Sequence, residues 1–152
     1  MNSERNMTSL VDNAISAHPR RILVVDDETQ ITAVLSRYAR AVGFQSRIAG
    51  NVDDAIRLVE AEEFDLILLD IILPGRTGFS AIQTLKRKSD AVIFIMTGYA
   101  ADEIRKDAEL LGADGVIQKP VEFEALVKII NGLKVSCGAV ENFNETKNID
   151  RR

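Results

Sequence analysis

Along the chain, unbroken apolar runs alternate with stretches where apolar residues recur every three or four positions. The runs cover residues 22–25 (ILVV), 66–70 (LILLD), 92–96 (VIFIM) and 115–118 (GVIQ), with a less apolar one at 45–49 (QSRIA). A run without polar alternation suits a strand buried on both faces. Between the runs, Ile31, Val34, Leu35, Tyr38 and Val42 fall on one helical face. So do Val52, Ala55, Ile56 and Val59, with Asn51 placed to cap them. Phe79, Ile82 and Leu85 mark a third helix. Ala101, Ile104, Ala108 and Leu111 mark a fourth, closed by Gly112, and Phe123, Leu126, Val127 and Ile130 a fifth.

Strands and helices therefore alternate five times. Right-handed crossovers turn this alternation into an α/β fold, a doubly wound parallel sheet with helices on both faces. Five strands suit the flavodoxin-like (βα)5 arrangement with strand order 2-1-3-4-5. The predicted boundaries are an N-terminal arm at 1–20, a domain at 21–133 and a polar tail at 134–152. In the arm, Met7, Leu10, Val11, Ala14 and Ile15 recur at helical spacing and predict a short amphipathic helix, ended by His18 and Pro19. The tail is aperiodic and is expected to be loose.

Composition sets limits. A chain of 152 residues suggests one core of useful size. With 46% hydrophobic and 28% charged residues, it has an ordinary soluble composition. A net charge of −4 gives no reason to expect direct DNA binding. No apolar stretch is long enough to span a bilayer, and no leader pattern opens the chain. One cysteine, Cys137, and one histidine, His18, argue against a disulfide framework and a structural zinc site. A cytoplasmic location is expected.

In an open α/β sheet, ligands bind beyond the carboxyl ends of the strands. The first run ends in Asp26 and Asp27, the third in Asp70, the fourth in Thr97, and the fifth in Lys119 followed by Pro120. Each has a plain explanation alone. Acids after a strand cap helices, an acid faces a loop, a threonine before Gly98 makes a turn, and a lysine lies along the surface. Brought together, three carboxylates need a cation. Hard oxygen ligands in small number suit Mg²⁺ or Mn²⁺. The ammonium and the hydroxyl suit an oxyanion such as a phosphoryl group.

Residues 20–133 resemble the receiver domain of two-component response regulators. The intervals 27 to 70, 70 to 97 and 97 to 119 match that family, as do Pro74 and Gly78 in DIILPGRTG and the Lys-Pro pair in QKP. The resemblance implies that Asp70 is the phosphoacceptor. It implies that Asp27 and Asp70 bind Mg²⁺ directly with the backbone carbonyl of Ile72, and that Asp26 holds it through water. Thr97 would hydrogen-bond the phosphoryl group, Lys119 would pair with one of its oxygens, and Pro120 would follow a cis peptide bond. A stand-alone switch is implied rather than a multiple-turnover enzyme. Its donor would be a phosphohistidine on a sensor histidine kinase or histidine phosphotransfer protein. His18, in the arm, reads as a turn residue instead. Output would pass to a downstream effector protein that reads helix 4, strand 5 and helix 5. That face carries Glu103, Arg105, Lys106, Glu122, Glu124 and Lys128. A phosphorylation-dependent homodimer is a further expectation.

One position departs from the family. Three residues before the lysine, where an aromatic ring is usual, stands Val116. Tyr99 is a candidate to take over part of the missing switch; the plainer reading packs it at the start of helix 4. Ile72 and Tyr99 occupy positions that flank the path of attacking water, and their bulk predicts a long-lived phosphoryl group. Two other readings are weaker. A phosphatase with an aspartate nucleophile commonly needs a second acid where Ile72 stands. A nucleotide or flavin module lacks its glycine-rich turn, because the first turn reads DDETQ.

Overall fold

The computed structural model describes residues 20–136. The expected helix at 7–15 and the tail beyond Ser136 lie outside the described residues. Among the described residues, five strands, β1 (Arg21–Val25), β2 (Gln45–Ala49), β3 (Leu66–Asp70), β4 (Val92–Thr97) and β5 (Gly115–Gln118), alternate with five helices. The helices are α1 (Thr29–Ala41), α2 (Val52–Ala61), α3 (Gly78–Lys88), α4 (Ala101–Leu110) and α5 (Phe123–Ser136). All strand pairs are parallel and the order is β2-β1-β3-β4-β5, the flavodoxin-like order expected.

The apolar runs are continuous because each central strand feeds two cores. Leu23, Val25, Ile67, Leu69, Ile93 and Ile95 pack on the side of α2, α3 and α4, against Ala55, Ile82, Leu85 and Ala108. Ile22, Val24, Leu66, Leu68 and Met96 face the other way, against Leu35 and Ala39 of α1 and Leu126 and Ile130 of α5. Alternation of period two is present, but both faces are apolar. Leu66, Ile67, Leu68 and Leu69 are fully buried, each contributing about 1.5–3 kcal/mol of transfer free energy. At the sheet edge, β2 buries only Ala49 fully, which explains its weaker run.

Local signals fix the ends of the helices. Asn51 Oδ1 accepts from the Asp54 N–H at 2.8 Å, and its amide donates to the Asp54 carboxylate at 3.0 Å. Gly112, at φ 110°, closes α4 in the left-handed region that a side chain would strain. Asp26 and Asp27 are not the cap of α1. Glu28 holds that position and makes no side-chain cap bond. Helix α5 runs to Ser136, past the boundary drawn at 133.

Acids at the leading ends of the strands serve the frame. Asp65 accepts from the Arg21 N–H at 2.8 Å. Asp114 accepts from the Ile93 N–H at 2.9 Å and pairs with Lys86. Among the described residues, no helix is long and apolar enough to cross a membrane.

Candidate functional site

At the trailing ends of the strands, β1, β3, β4 and β5 lie side by side. Asp26 leaves β1 with its N–H on the Ala49 carbonyl of β2 at 3.0 Å, which holds it level with the sheet. Its side chain is buried, and both carboxylate oxygens are used. Oδ1 accepts from the Glu28 N–H at 2.9 Å, and Oδ2 meets the Lys119 ammonium at 2.8 Å. Asp70, also buried, ends β3. Its Oδ2 lies 3.1 Å from the same ammonium, and its Oδ1 accepts from the Ile72 N–H at 3.3 Å. Asp27 is exposed. One carboxylate oxygen from each of Asp26, Asp27 and Asp70 lies within 4.8 Å of the others.

Lys119 is therefore not a lysine lying along the surface. Its N–H donates to the Thr97 carbonyl at 2.7 Å, which ties the end of β5 to β4 and aims the side chain inward. The Lys119–Pro120 peptide bond is cis, as the resemblance implied. Burial pushes the Asp70 carboxyl above the ordinary carboxylate range; the Lys119 hydrogen bond opposes this, and the Asp26 charge adds to it. For Lys119, burial works to lower the proton affinity. Its hydrogen bonds to Asp26 and Asp70 outweigh that and hold the ammonium above the usual lysine value.

Two of the three clustered carboxylates, Asp26 and Asp70, thus share one ammonium. A compact set of hard oxygen donors with surplus negative charge fits a small divalent cation. Above it opens a cavity of about 450 Å³, walled by Asp27, Asp70, Ile72, Pro74, Gly98 and Lys119.

Other sequence candidates are placed differently. Thr97 is buried, and its Oγ1 accepts from the Tyr99 N–H at 2.9 Å, so the hydroxyl pins the β4–α4 loop. Tyr99 does not pack at the start of α4; it is 60% exposed. Ile72, 61% exposed, stands in the cavity wall. Val116 is buried in the core, paired in register with Ile95. The sequence reading missed the role of Gly78, where a Cβ would lie 2.1 Å from the Asp70 carbonyl oxygen. It also missed Glu28 in the cavity wall. Gly78 was noted only for its place in DIILPGRTG; the local signal for its role is a glycine opening a helix just after Thr77, whose side chain accepts from the Ser80 N–H.

The family model of the response regulator receiver domain matches residues 22–131. This chain belongs to the receiver domain family. It is 36% identical over 100 residues to the transcriptional regulatory protein YvrH of Bacillus subtilis, covering 65% of this chain and 42% of that one. It is 32% identical over 119 residues to protein PetR of Rhodobacter capsulatus, covering 78% of this chain and 50% of the relative. The chain therefore spans half or less of the length of these curated relatives. Among solved structures, a response regulator from Burkholderia pseudomallei with a phosphorylated aspartic acid, calcium ion and citrate is 32% identical. The TM-score is 0.68, with 85% of this chain and 75% of that one covered. A CheY-like receiver domain protein from Methanospirillum hungatei is also 32% identical, with a TM-score of 0.70 and coverage of 77% and 95%. Receiver domains are phosphoacceptor switches of two-component signalling, and this one has the acidic group and fold of that family.

Proposed function

We propose that Asp70 accepts a phosphoryl group from a phosphohistidine on a partner kinase or phosphotransfer protein, in a Mg²⁺-dependent reaction. One observation carries this reading. Lys119 lies 2.8 Å from Asp26 and 3.1 Å from Asp70, beside three clustered carboxylates at the mouth of one cavity. An Asp70 oxygen attacks phosphorus in line with the donor nitrogen, the phosphorus–nitrogen bond breaks, and its electron pair returns to the imidazole. The product is an acyl phosphate on Asp70. Little covalent chemistry is asked of the protein, so positioning and charge do most of the work. Burial leaves the Asp70 carboxylate more basic than usual, which favours attack.

Lys119 already touches Asp70, so it needs little movement to pair with a phosphoryl oxygen. Asp26 has both oxygens engaged, by Glu28 and Lys119, which supports a contact through water rather than a direct bond to an ion. A magnesium ion on Asp27, Asp70 and the Ile72 carbonyl would supply positive charge opposite the transferring group, and Mn²⁺ suits the same donors. Thr97 accepts from the Tyr99 N–H, which leaves its hydroxyl proton to donate to the phosphoryl group.

That same hydroxyl gives the site a handle on the β4–α4 loop. Turning it toward a phosphoryl group strains or breaks the Tyr99 bond and shifts the balance of conformations on α4, β5 and α5, the face a partner protein reads. With Val116 locked in the core, coupling runs through the backbone of residues 97–99 rather than through a ring at 116.

The test is intact-mass measurement after incubation with acetyl phosphate and Mg²⁺. One phosphoryl group per chain is expected, absent in Asp70→Asn and absent without divalent metal. Full labelling of Asp70→Asn would overturn the assignment. Turnover of many donors per chain would favour a phosphatase.

A further inference from the structure

A second groove, of about 480 Å³, runs between α1 and the start of α5. Ile31, Val34 and Leu35 of α1 form one wall, and Pro120 and Val121 form the other. Tyr38 lies at its lower end, edge-on to the Phe123 ring with centroids 5.3 Å apart. Val34 and Phe123 are 38% and 39% exposed, so the face is apolar yet open. Apolar side chains left open along one groove form a face that a matching apolar segment can cover.

The chain supplies such a segment. Residues 1–19 precede β1 and lie outside the described residues. Where they join, the Arg20 guanidinium sits 5.9 Å above the Phe44 ring, and Phe44 belongs to the core beneath α1 and α5. The preceding segment therefore starts at the foot of α1, on the side of the groove. Residues 16–19 span up to about 13 Å when extended. Residues 7–15 span about 13 Å as a helix, and α1 itself rises about 20 Å. The reach suffices to lay the segment along α1. Its apolar positions Met7, Leu10, Val11, Ala14 and Ile15 form one helical face. Laid parallel to α1, it brings Arg5 toward the exposed Glu122 and Glu124, and Asp12 toward the exposed Arg37.

We propose that residues 7–15 dock as a helix in this groove and cover Val34. A tether of a few residues holds the segment at millimolar effective concentration, so even a weakly binding face is occupied. The groove shares Lys119 with the phosphoryl site.

Hydrogen–deuterium exchange on the full chain, without any phosphodonor, tests this independently of the role of Asp70. In Leu10→Asp/Ile15→Asp, exchange at residues 30–38 and 120–123 should quicken at least about threefold, with the thermal transition retained. The exposed-site variant Val34→Asp should in turn quicken exchange at residues 7–15. Equal exchange in wild type and both variants would overturn the proposal. So would protection that grows with protein concentration, because that assigns the groove to a second copy.

Discussion

At Gly78, helix α3 begins against the backbone of the residue that carries the chemistry. A Cβ there would lie 2.1 Å from the Asp70 carbonyl oxygen, while Ile82 and Leu85 hold α3 in the core. The collision is relieved only by shifting α3 or the end of β3. Gly78→Ala should therefore destabilise the fold by about 2 kcal/mol, within the range for overpacked sites. Labelling of Asp70 by acetyl phosphate should also slow, because the carboxylate loses its place beside Lys119. Denaturant melts and timed mass measurements check both parts. A variant as stable and as quickly labelled as wild type would show that the loop yields freely. Ile72 in the cavity wall and Tyr99, next in the chain to the wall residue Gly98, are both largely exposed. If their bulk excludes water, Ile72→Ala and Tyr99→Ala should each shorten the phosphoryl half-life severalfold, up to about tenfold, or about 1.4 kcal/mol in barrier. A wild-type half-life of seconds with Mg²⁺ present would contradict the shielding.

At the scale of elements, α2 is the clearest case of a local signal that the fold uses. Asn51 caps it by accepting from the Asp54 N–H at 2.8 Å, and its amide is steadied by the Asp54 carboxylate at 3.0 Å. Asn51→Ala should lower stability by about 1 kcal/mol, seen as a shifted urea midpoint with unchanged slope. Such signals made the architecture readable: buried runs gave the four more apolar strands, and alternation with helical periods gave β2 despite its weak run. What stayed hidden depends on partners distant in sequence. Asp65 and Asp114 carried no signal in the sequence, because Arg21 and Ile93 approach them only in the folded sheet. The Asp26–Lys119 pair spans 93 positions, so the residues were found but their bond was not. Thr97 was placed on the right strand end, yet its bond to the Tyr99 N–H follows from a loop path no periodicity encodes. The end of α5 was misjudged because Lys134, Val135 and Ser136 read as the start of a polar tail, while the helix continues through them.

For the whole molecule, the site is a charge imbalance that folding itself must carry. Three carboxylates cluster beside one ammonium, which pairs with Asp26 and Asp70; burial first, and the Asp26 charge after it, raise the proton affinity of Asp70. In the unfolded chain the same acids are hydrated and apart. A divalent cation that binds only the folded cluster adds RT ln(1 + [L]/Kd) to stability. At ten times Kd this is about 1.4 kcal/mol, or roughly 5 °C in Tm for a domain of this size. Mg²⁺ should therefore raise the Tm of the intact chain in a concentration-dependent way, where equal ionic strength of NaCl does not. Asp27 is exposed, so Asp27→Asn should keep the metal-free Tm or raise it slightly while abolishing most of the Mg²⁺ shift. Asp26→Asn should act in the opposite sense on the metal-free protein. It removes one of the two buried carboxylate partners of Lys119, which costs stability before any ion is added. The pair of variants separates a metal site from a merely crowded one. If millimolar Mg²⁺ left the wild-type Tm unmoved and Asp27→Asn behaved identically, the acids would hold no ion, and transfer to Asp70 would have to draw its positive charge from Lys119 alone.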